Sequence, residues 1–363
     1  SMAQIVSHET LRGIVSEICA CAGSAEEEAG LVADNLVIAN LMGHDSHGVG
    51  MLPRYIDCVL SGTLKPNSHA KIAVDSGALV VIDGQAGYGQ VIGGEAMDIG
   101  LDRAREHGVA AVATRNSFHL CRIGAWAERC AAAGFISMHH TNVIGHKPLV
   151  APFGGSEARY ATNPYTVGLP ATDDNPMTVL DMATSVVAVG KVRVAKNKGE
   201  QMAPGTLLNG HGKPTTDPNV MFEEPFGAVL PFGGHKGGGL ALINELLAGV
   251  LSGGQTMRPE TCPESEAILN NMLSIIIDPG KLIDDDFYRS ELDAAMKWVK
   301  ASKPIDPAYP VLAPGEPEQI MKRERESDGI PIDDATWEEI LGAGDLVGFG
   351  RDAIVALVRA PVP

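Results

Sequence analysis

The most concentrated group of polar side chains is the pentapeptide HDSHG, which places His44, Asp45, Ser46 and His47 in consecutive positions. Histidine exchanges protons near neutral pH, so this composition suits proton transfer beside a bound carboxylate. A second interpretation is a structural loop in which Asp45 or Ser46 caps the next helix and the histidines face solvent. A third is a metal-assisted hydrolase or lyase that uses His44, Asp45 and His47. The third has the weakest support, because no H-E-x-x-H pattern or further spaced ligand accompanies the cluster.

Two further segments combine histidine with the start of a helix. NSFHLCRIG, residues 116–124, follows the apolar run VAAVAT and places His119 between a strand end and a helix, where a phosphate or nicotinamide could bind. GGHKGGG, residues 233–239, surrounds His235 and Lys236 with glycines that let backbone amides approach an anion. Each segment also has a purely structural interpretation, as a hydrogen-bonded strand end and as a closely packed helix.

Two better-known motifs are not supported. GYGQVIG, residues 87–93, resembles a dinucleotide-binding glycine fingerprint, but its last glycine comes one position late and the following strand ends on Arg115 instead of an acidic residue. We therefore predict a turn and a helix start there. A serine hydrolase is disfavoured, because no G-x-S-x-G elbow occurs. A hydrogen bond between Ser46 and His47 is not assumed either, because neighbouring side chains diverge.

Helices must position the HDSHG segment. Ser24 and Glu27 predict a capping box, and Gly43 predicts the end of the helix that follows them. Pro53 suits the first turn of a second, short helix, from which Arg54 projects. The HDSHG segment therefore lies in a tight loop between two helices.

The remaining pattern predicts an α/β (α+β) chain. Short β-rich runs alternate with helices from about 75 to 280, and the pattern is helical again to 363. We predict one lobe from both termini, residues 1–74 with 285–363, and a second domain over 75–284. The helix that follows GGHKGGG is apolar on nearly every side, which predicts burial.

Composition excludes several classes of protein. The chain has 363 residues with 45% hydrophobic and 20% charged residues, which is typical of a globular protein. Its formal net charge of −17 disfavours nucleic acid and anionic membranes as partners. The six cysteines form no C-x-x-C pair, the beginning lacks a signal-peptide pattern and no run of 18 apolar residues occurs. We expect a soluble, cytoplasmic protein without a metal site.

Taken together, HDSHGVGMLPRY, NSFHLCRIGAWAE, ATNP, LDMATS, GGHKGGGLAL and APGE resemble the malate/L-lactate dehydrogenase family of the second, non-Rossmann type. These motifs occur in order from about 44 to 316. The resemblance implies an oxidoreductase of class EC 1.1.1 that interconverts 2-oxo and 2-hydroxy acids with NAD or NADP. It also implies a mostly antiparallel central sheet in the NAD(P)-binding domain, and a homodimer with its active site near the interface.

The resemblance also implies roles for individual residues. His47 matches the proton donor with Ser46 in support, and His119 matches a histidine beside the nicotinamide that is the acid/base in some members. Asp181 is expected to orient a catalytic group and Thr162 to contact the substrate. The expected cofactor contacts are His119, Leu120, Cys121, Arg122, Ile123, Val179, Leu180, Asp181, Met182, Ala183, Thr184, Ser185, His235, Lys236, Ala313, Pro314, Gly315 and Glu316.

One position departs from the family pattern. Many members have an arginine three residues after the S-H-G glycine for the substrate carboxylate, whereas this chain has Met51. Arg54 follows one helical turn later and could form a bidentate pair with the carboxylate. We predict that Arg54 takes over this contact. The identity of the 2-oxo acid stays open.

Overall fold

The computed structural model describes residues 3–263 and 267–360. The helices in these ranges are α1 His8–Cys21, α2 Glu26–Leu41, α3 Leu52–Ser61, α4 Gly89–His107, α5 Gly124–Ala132, α6 Val189–Lys198, α7 His235–Gly249, α8 Asp285–Lys300, α9 Glu316–Asp328, α10 Asp334–Leu346 and α11 Arg351–Arg359. The strands are β1 Gln4–Val6, β2 Lys71–Ser76, β3 Leu79–Asp83, β4 Val109–Phe118, β5 Ile136–Ile144, β6 Tyr165–Leu169, β7 Thr178–Met182, β8 Leu207–Leu208, β9 Pro214–Thr215, β10 Ala228–Val229, β11 Leu269–Ile277 and β12 Ile330–Ile332. The predicted mixture of helices and strands is confirmed.

A seven-stranded sheet in the order β2-β3-β4-β11-β5-β6-β7 forms the centre of the molecule. The β3–β4 pair is parallel, and the other neighbours are antiparallel. Successive side chains of a strand point to opposite faces. On β11, Met272 and Ile276 pack in the apolar core with α4 and α5, whereas Asn271 lies towards the end of α7. The sheet therefore has helices on both faces.

The N-terminal and C-terminal parts of the chain are joined by an antiparallel pair of strands, β1 with β12. Apolar side chains of α1, α2, α3, α10 and α11 form one buried core beside this pair. The same core includes Tyr88 and Phe118, which belong to the central part of the chain. The limits of the two predicted domains stay a prediction.

The beginning of α2 differs from the predicted capping box. Ala25 is the residue before the helix and has no capping side chain, and its own amide donates to Asn67 Oδ1 at 2.8 Å. The Ser24 hydroxyl instead donates to Glu28 Oε2 at 2.7 Å. The prediction was wrong because the serine lies one residue too early, and the nearby buried carboxylate is a stronger acceptor. Gly43 ends the helical segment with φ of +82°, as predicted.

The GYGQVIG segment starts a helix, as predicted, since α4 begins at Gly89. A methyl group on Gly89 would lie 1.9 Å from the carbonyl oxygen of His119. The glycine is therefore required for the close approach of α4 to the end of β4. No helix in the described ranges is long and apolar enough to cross a bilayer.

The sequence predicts that helix α7 is buried on nearly every side, but the structure buries only part of it. One side is buried and includes Ala241 and Glu245, whereas Leu242, Ile243 and Leu246 on the other side are each more than 40% exposed. An apolar composition indicates that a helix face is covered, but it does not distinguish cover by the same chain from cover by another. The prediction that α7 is buried on nearly every side by its own chain was therefore wrong.

Candidate active site

The HDSHG loop is held from the last turn of α2. Residues Asp45–His47 form a short 3₁₀ turn, and the Asn40 side chain reaches both ends of the loop. Asn40 Nδ2 donates to Asp45 Oδ1 at 2.8 Å, and Asn40 Oδ1 accepts from the amide of Val49 at 2.7 Å. Among the residues that the structure describes, no side chain caps α3. The capping interpretation of Asp45 and Ser46 is therefore wrong.

Helix α9 holds the same loop from the other side. Arg325 Nη1 and Nη2 donate to the two oxygens of Asp45 at 2.7 and 3.1 Å. Glu318 Oε1 lies 3.3 Å from His44 Nε2. In the described part of the chain, no group of three or more His, Cys, Asp or Glu side chains could hold a metal ion. His44 and Asp45 thus serve to anchor the loop on α9, which leaves His47 as the loop histidine next to the end of β4.

Replacing Gly48 by alanine is expected to destabilise this loop. The new methyl group would lie 2.2 Å from Asn40 Oδ1, and Asn40 is buried and already committed to Asp45 and Val49. Overpacking of this kind costs about 1–3 kcal/mol of unfolding free energy. Urea denaturation measures the loss. The matched control is Gly13→Ala in α1, where nothing lies within 4 Å and stability should stay equal or rise. Equal effects of the two variants would contradict this prediction.

Two imidazole rings meet at the centre of the site. His47 comes from the loop and His119 follows β4, and their centroids are 5.5 Å apart with an interplanar angle of 20°. Ser46 Oγ lies 3.0 Å from His47 Nδ1, so the two are hydrogen-bonded. The expectation that these neighbouring side chains diverge was wrong, because the 3₁₀ turn brings the hydroxyl back to the adjacent ring. The sequence-predicted residues Ser46, His47 and His119 are thus brought together.

Burial dominates the electrostatics of His47. It lowers the pKa of His47 to about 4, although the negative charge of Asp181 acts in the opposite direction. The positive charges of His44 and Arg122 lower the pKa further. His47 is therefore neutral at pH 7 in the free protein, whereas the ordinary pKa of histidine, about 6.5, would leave it partly protonated.

The same causes act on His119. Burial lowers its pKa well below the ordinary value, and the charges of His47, Arg54 and His146 lower it further. Arg54 therefore lies close enough for its charge to act on the His119 ring. Its Nε is buried without a hydrogen-bond partner among the described residues. A buried donor of this kind favours an anionic ligand, which makes Arg54 the cation next to the paired imidazoles.

Asp181 connects the end of β7 to the start of α5. Its Oδ2 accepts from the amide of Gly124 at 2.8 Å, and its Oδ1 accepts from the Thr166 hydroxyl at 3.0 Å. A carboxylate at a helix start is favourable, because the free amides there carry partial positive charge. Its charge also acts on His47. The orienting role of Asp181 stays a prediction.

The segments expected to contact a cofactor are neighbours in space. The amide of Val179 donates to Pro314 O at 3.2 Å, which joins the 179–185 and 313–316 segments. The amide of Thr184 donates to Thr162 O at 2.9 Å, and that of Phe232 donates to Thr184 O at 3.0 Å. These bonds link the ATNP and LDMATS motifs to the turn that precedes α7.

The three basic residues among the predicted cofactor contacts differ in their exposure to solvent. His235 and Lys236 are exposed at the start of α7, and the ring of His235 makes an edge contact with that of Phe153 at 5.9 Å between centroids. Arg122, by contrast, is buried, and its Nη1 and Nη2 donate to Glu128 at 2.9 and 2.6 Å. Because its guanidinium is paired with Glu128, Arg122 affects the site through its charge, which lowers the pKa of His47.

Sequence reasoning missed the residue that touches His119 most directly. The Tyr55 hydroxyl lies 2.6 Å from His119 Nδ1, and Gln90 Nε2 donates to the same hydroxyl at 3.4 Å. Tyr55 directly follows Arg54 and lies on the buried side of α3. Its place in the motif M-L-P-R-Y was the only available signal, and it is equally typical of a core aromatic residue.

Comparisons with known proteins identify the family of the chain. The family model described as malate/L-lactate dehydrogenase matches residues 6–341. Hydroxycarboxylate dehydrogenase B of Escherichia coli K12 is 47% identical over 97% of this chain and 96% of its own. L-lactate dehydrogenase of Cupriavidus necator is 38% identical over 92% of this chain and 95% of its own. The solved structure of sulfolactate dehydrogenase from Methanocaldococcus jannaschii superposes with a TM-score of 0.84 at 32% identity, covering 96% of this chain and 99% of that chain. The chain therefore belongs to the malate/L-lactate dehydrogenase family.

Proposed function

We propose that this dehydrogenase interconverts a 2-oxo acid and the corresponding 2-hydroxy acid with NAD or NADP. The observation that carries the proposal is the pair of neutral, stacked imidazoles of His47 and His119 near Arg54, whose buried Nε has no hydrogen-bond partner among the described residues. A 2-oxo acid has a carbonyl oxygen that must gain a proton and an adjacent carboxylate that needs a cation. One histidine and one arginine supply these two functions.

The residues present fit a dinucleotide. Among the described residues no side chain caps the start of α7, and the exposed Lys236 adds its charge to the partial positive charge of this helix end. Such a helix start is a ready site for phosphate groups. Glu318 Oε2 is buried near His44 without a hydrogen-bond partner among the described residues, so it is available to a hydroxyl donor. We propose that the expected segments of domain 75–284, together with 313–316, hold the cofactor.

In the proposed mechanism, a bound nicotinamide supplies or accepts the hydride at the carbon of the reacting carbonyl. His47 gives its proton to the carbonyl oxygen during reduction and removes the hydroxyl proton during oxidation. In the free protein His47 is neutral, which is the form needed for oxidation. A substrate carboxylate bound at Arg54 would add negative charge beside the rings and raise the pKa of His47 towards the working pH. Thr162 is proposed as a further substrate contact.

An assay of several 2-oxo acids with NADH and NADPH, followed at 340 nm, tests the proposal. Cofactor oxidation that requires both the protein and a 2-oxo acid is expected. The metal-assisted hydrolase or lyase proposed as an alternative predicts that a chelator abolishes activity, whereas the dehydrogenase should keep it. Absence of turnover with every acid and both cofactors would contradict the proposed function. We also propose that the protein is cytoplasmic, as expected from the sequence.

We also propose a homodimer, because apolar surface on this single chain is unusually continuous along α7. The exposed apolar residues there and just beyond its end are Leu242, Ile243, Leu246, Val250 and Leu251. A further set lies on and beside α8, where Trp298 is 82% exposed. Contiguous apolar patches on a globular protein commonly mark an interface. We propose that a second copy of the chain covers them.

Leu246→Glu is expected to weaken this dimer at least tenfold. A two-fold interface would bury the new carboxylate twice without a partner, which is strongly unfavourable. Light scattering after size-exclusion chromatography measures the change as a shift towards a mass near 38 kDa. Leu346→Glu on α10 is a control, because Leu346 is also exposed but lies outside the α7 and α8 patches. A Leu246→Glu variant that keeps the wild-type mass would exclude α7 from the interface.

A further inference from the structure

The buried hydroxyl of Tyr55 is the centre of a small hydrogen-bonding network behind His119. It lies 2.6 Å from His119 Nδ1 and 3.6 Å from Cys121 Sγ, and it accepts from Gln90 Nε2 at 3.4 Å. Both Tyr55 and the His119 ring lie within the protein, and Tyr55 makes edge contacts with Tyr88 and Phe118. This network lies on the side of the ring that carries Nδ1.

The direction of the bond between Tyr55 and His119 follows from the donors available. Gln90 Nε2 donates only, so it occupies a lone pair of the hydroxyl. The Cys121 thiol donates to the carbonyl oxygen of His119 at 3.2 Å, and its sulfur is a distant, weak acceptor for the hydroxyl. A separation of 2.6 Å is typical of a hydroxyl donor and shorter than the usual N–H···O distance. The Tyr55 hydroxyl hydrogen therefore points at His119 Nδ1.

We infer that Tyr55 is a positioning residue that holds His119 in the Nε2–H tautomer, so that this ring donates a hydrogen bond to the carbonyl oxygen of the substrate. The inference deepens the proposed function and rests on it for the identity of the acceptor. A neutral imidazole has one N–H, and a hydrogen bond received at Nδ1 places that N–H at Nε2. Among the described residues, none hydrogen-bonds to His119 Nε2. The N–H is thus available to a ligand.

The groups around His119 keep it neutral. Arg54 in α3 is the permanent positive charge that acts on it, and His47 in the loop and His146 after β5 oppose its protonation in their charged forms. Tyr55 is itself a neutral phenol, because burial raises its pKa well above the ordinary value. Cys121 is a thiol, because burial raises its pKa to about 12. A neutral Nε2–H donor can stabilise developing negative charge on oxygen without giving up its proton.

The two histidines then have different tasks. His47 moves the proton, whereas His119 supplies a fixed hydrogen bond to the same oxygen. The opposite tautomer of His119 would present an unprotonated nitrogen to the oxygen and repel it. Tyr55 affects the reaction only by preventing that tautomer, so its removal should lower turnover less than removal of His47.

Tyr55→Phe tests the inference, with two measurements on protein that carries ¹⁵N-labelled histidine. In the wild type, long-range ¹H–¹⁵N spectra should show His119 with a protonated Nε2 and an unprotonated Nδ1. In Tyr55→Phe the share of Nδ1–H should rise, and kcat should fall about 3- to 10-fold, the range over which one hydrogen bond biases an equilibrium. The KM for the reduced cofactor should stay unchanged. Tyr88→Phe is the matched control, because it removes a neighbouring buried hydroxyl that faces Cys19 and Glu28 instead.

Several results would overturn the inference. A wild-type His119 protonated at Nδ1 would do so, even if Tyr55→Phe failed to fold. So would a Tyr55→Phe protein with unchanged tautomer and kcat, or equal losses in the Tyr88→Phe control. The spectra do not depend on turnover. Absence of reduction with every 2-oxo acid would therefore count against the proposed function alone, while the tautomer would still be measured.

Discussion

The His47→Ala variant should lose about 10²–10⁴-fold in turnover, the usual contribution of a general acid or base. His47 is the ring that lies within 5.5 Å of His119 and is hydrogen-bonded to Ser46, so its removal leaves no group in the loop to move the proton. Steady-state assays in both directions measure the loss. Cofactor affinity should survive, because the expected phosphate contacts lie at α7, and fluorescence titration with NADH and NADPH checks this.

His44→Ala is the matched control for the same loop. His44 contacts Glu318 and does not stack on His119, so its loss should lower turnover far less than the loss of His47. Thermal unfolding of both variants separates damage to the loop from damage to the chemistry. Normal turnover in His47→Ala would show that His119 or another group moves the proton. Equal losses in the two variants would show that the loop as a whole, and not one ring, is required.

Local patterns were sufficient for most of the elements near the site. The apolar run that became β4, the short helix α3 with Pro53 in its first turn and the helix start at Gly89 follow from periodicity, proline and glycine preferences, which act over a few residues. The HDSHG loop was placed for the same reason, between two helices that both have clear ends. These elements position His47, His119 and Arg54.

Contacts between distant parts of the chain could not be predicted in this way. Asp45 is bonded to Arg325 across 280 positions, and Tyr55 to His119 across 64. Nothing in the local sequence around either residue indicates its partner, since many buried tyrosines and surface arginines have the same neighbours. The pKa of His47 was missed for a related reason, because burial depends on everything that packs around the ring. The sequence thus indicates which loop or helix carries these residues, whereas tertiary packing determines their hydrogen-bond partners and pKa values.

The Arg54→Ala variant should raise the KM for the 2-oxo acid about 10- to 100-fold, because a hydrogen bond to a charged group contributes about 1.5–3 kcal/mol. Arg54 is the expected replacement for the arginine that many family members have where this chain has Met51. The structure places its buried, unpartnered Nε at the site and its charge within reach of His119. Steady-state kinetics with the acid varied at saturating cofactor measure the change.

Arg54→Lys separates charge from geometry at the same position. Lysine keeps the positive charge but lacks the planar fork that binds a carboxylate through two parallel bonds, so the KM should lie between those of the wild type and Arg54→Ala. Loss of the charge in Arg54→Ala should also raise the pKa of His119, since Arg54 lowers it in the wild type. The ¹⁵N signals of His119 should then titrate at higher pH in Arg54→Ala than in Arg54→Lys. An unchanged KM in both variants would remove Arg54 from the substrate site and require another cation for the carboxylate.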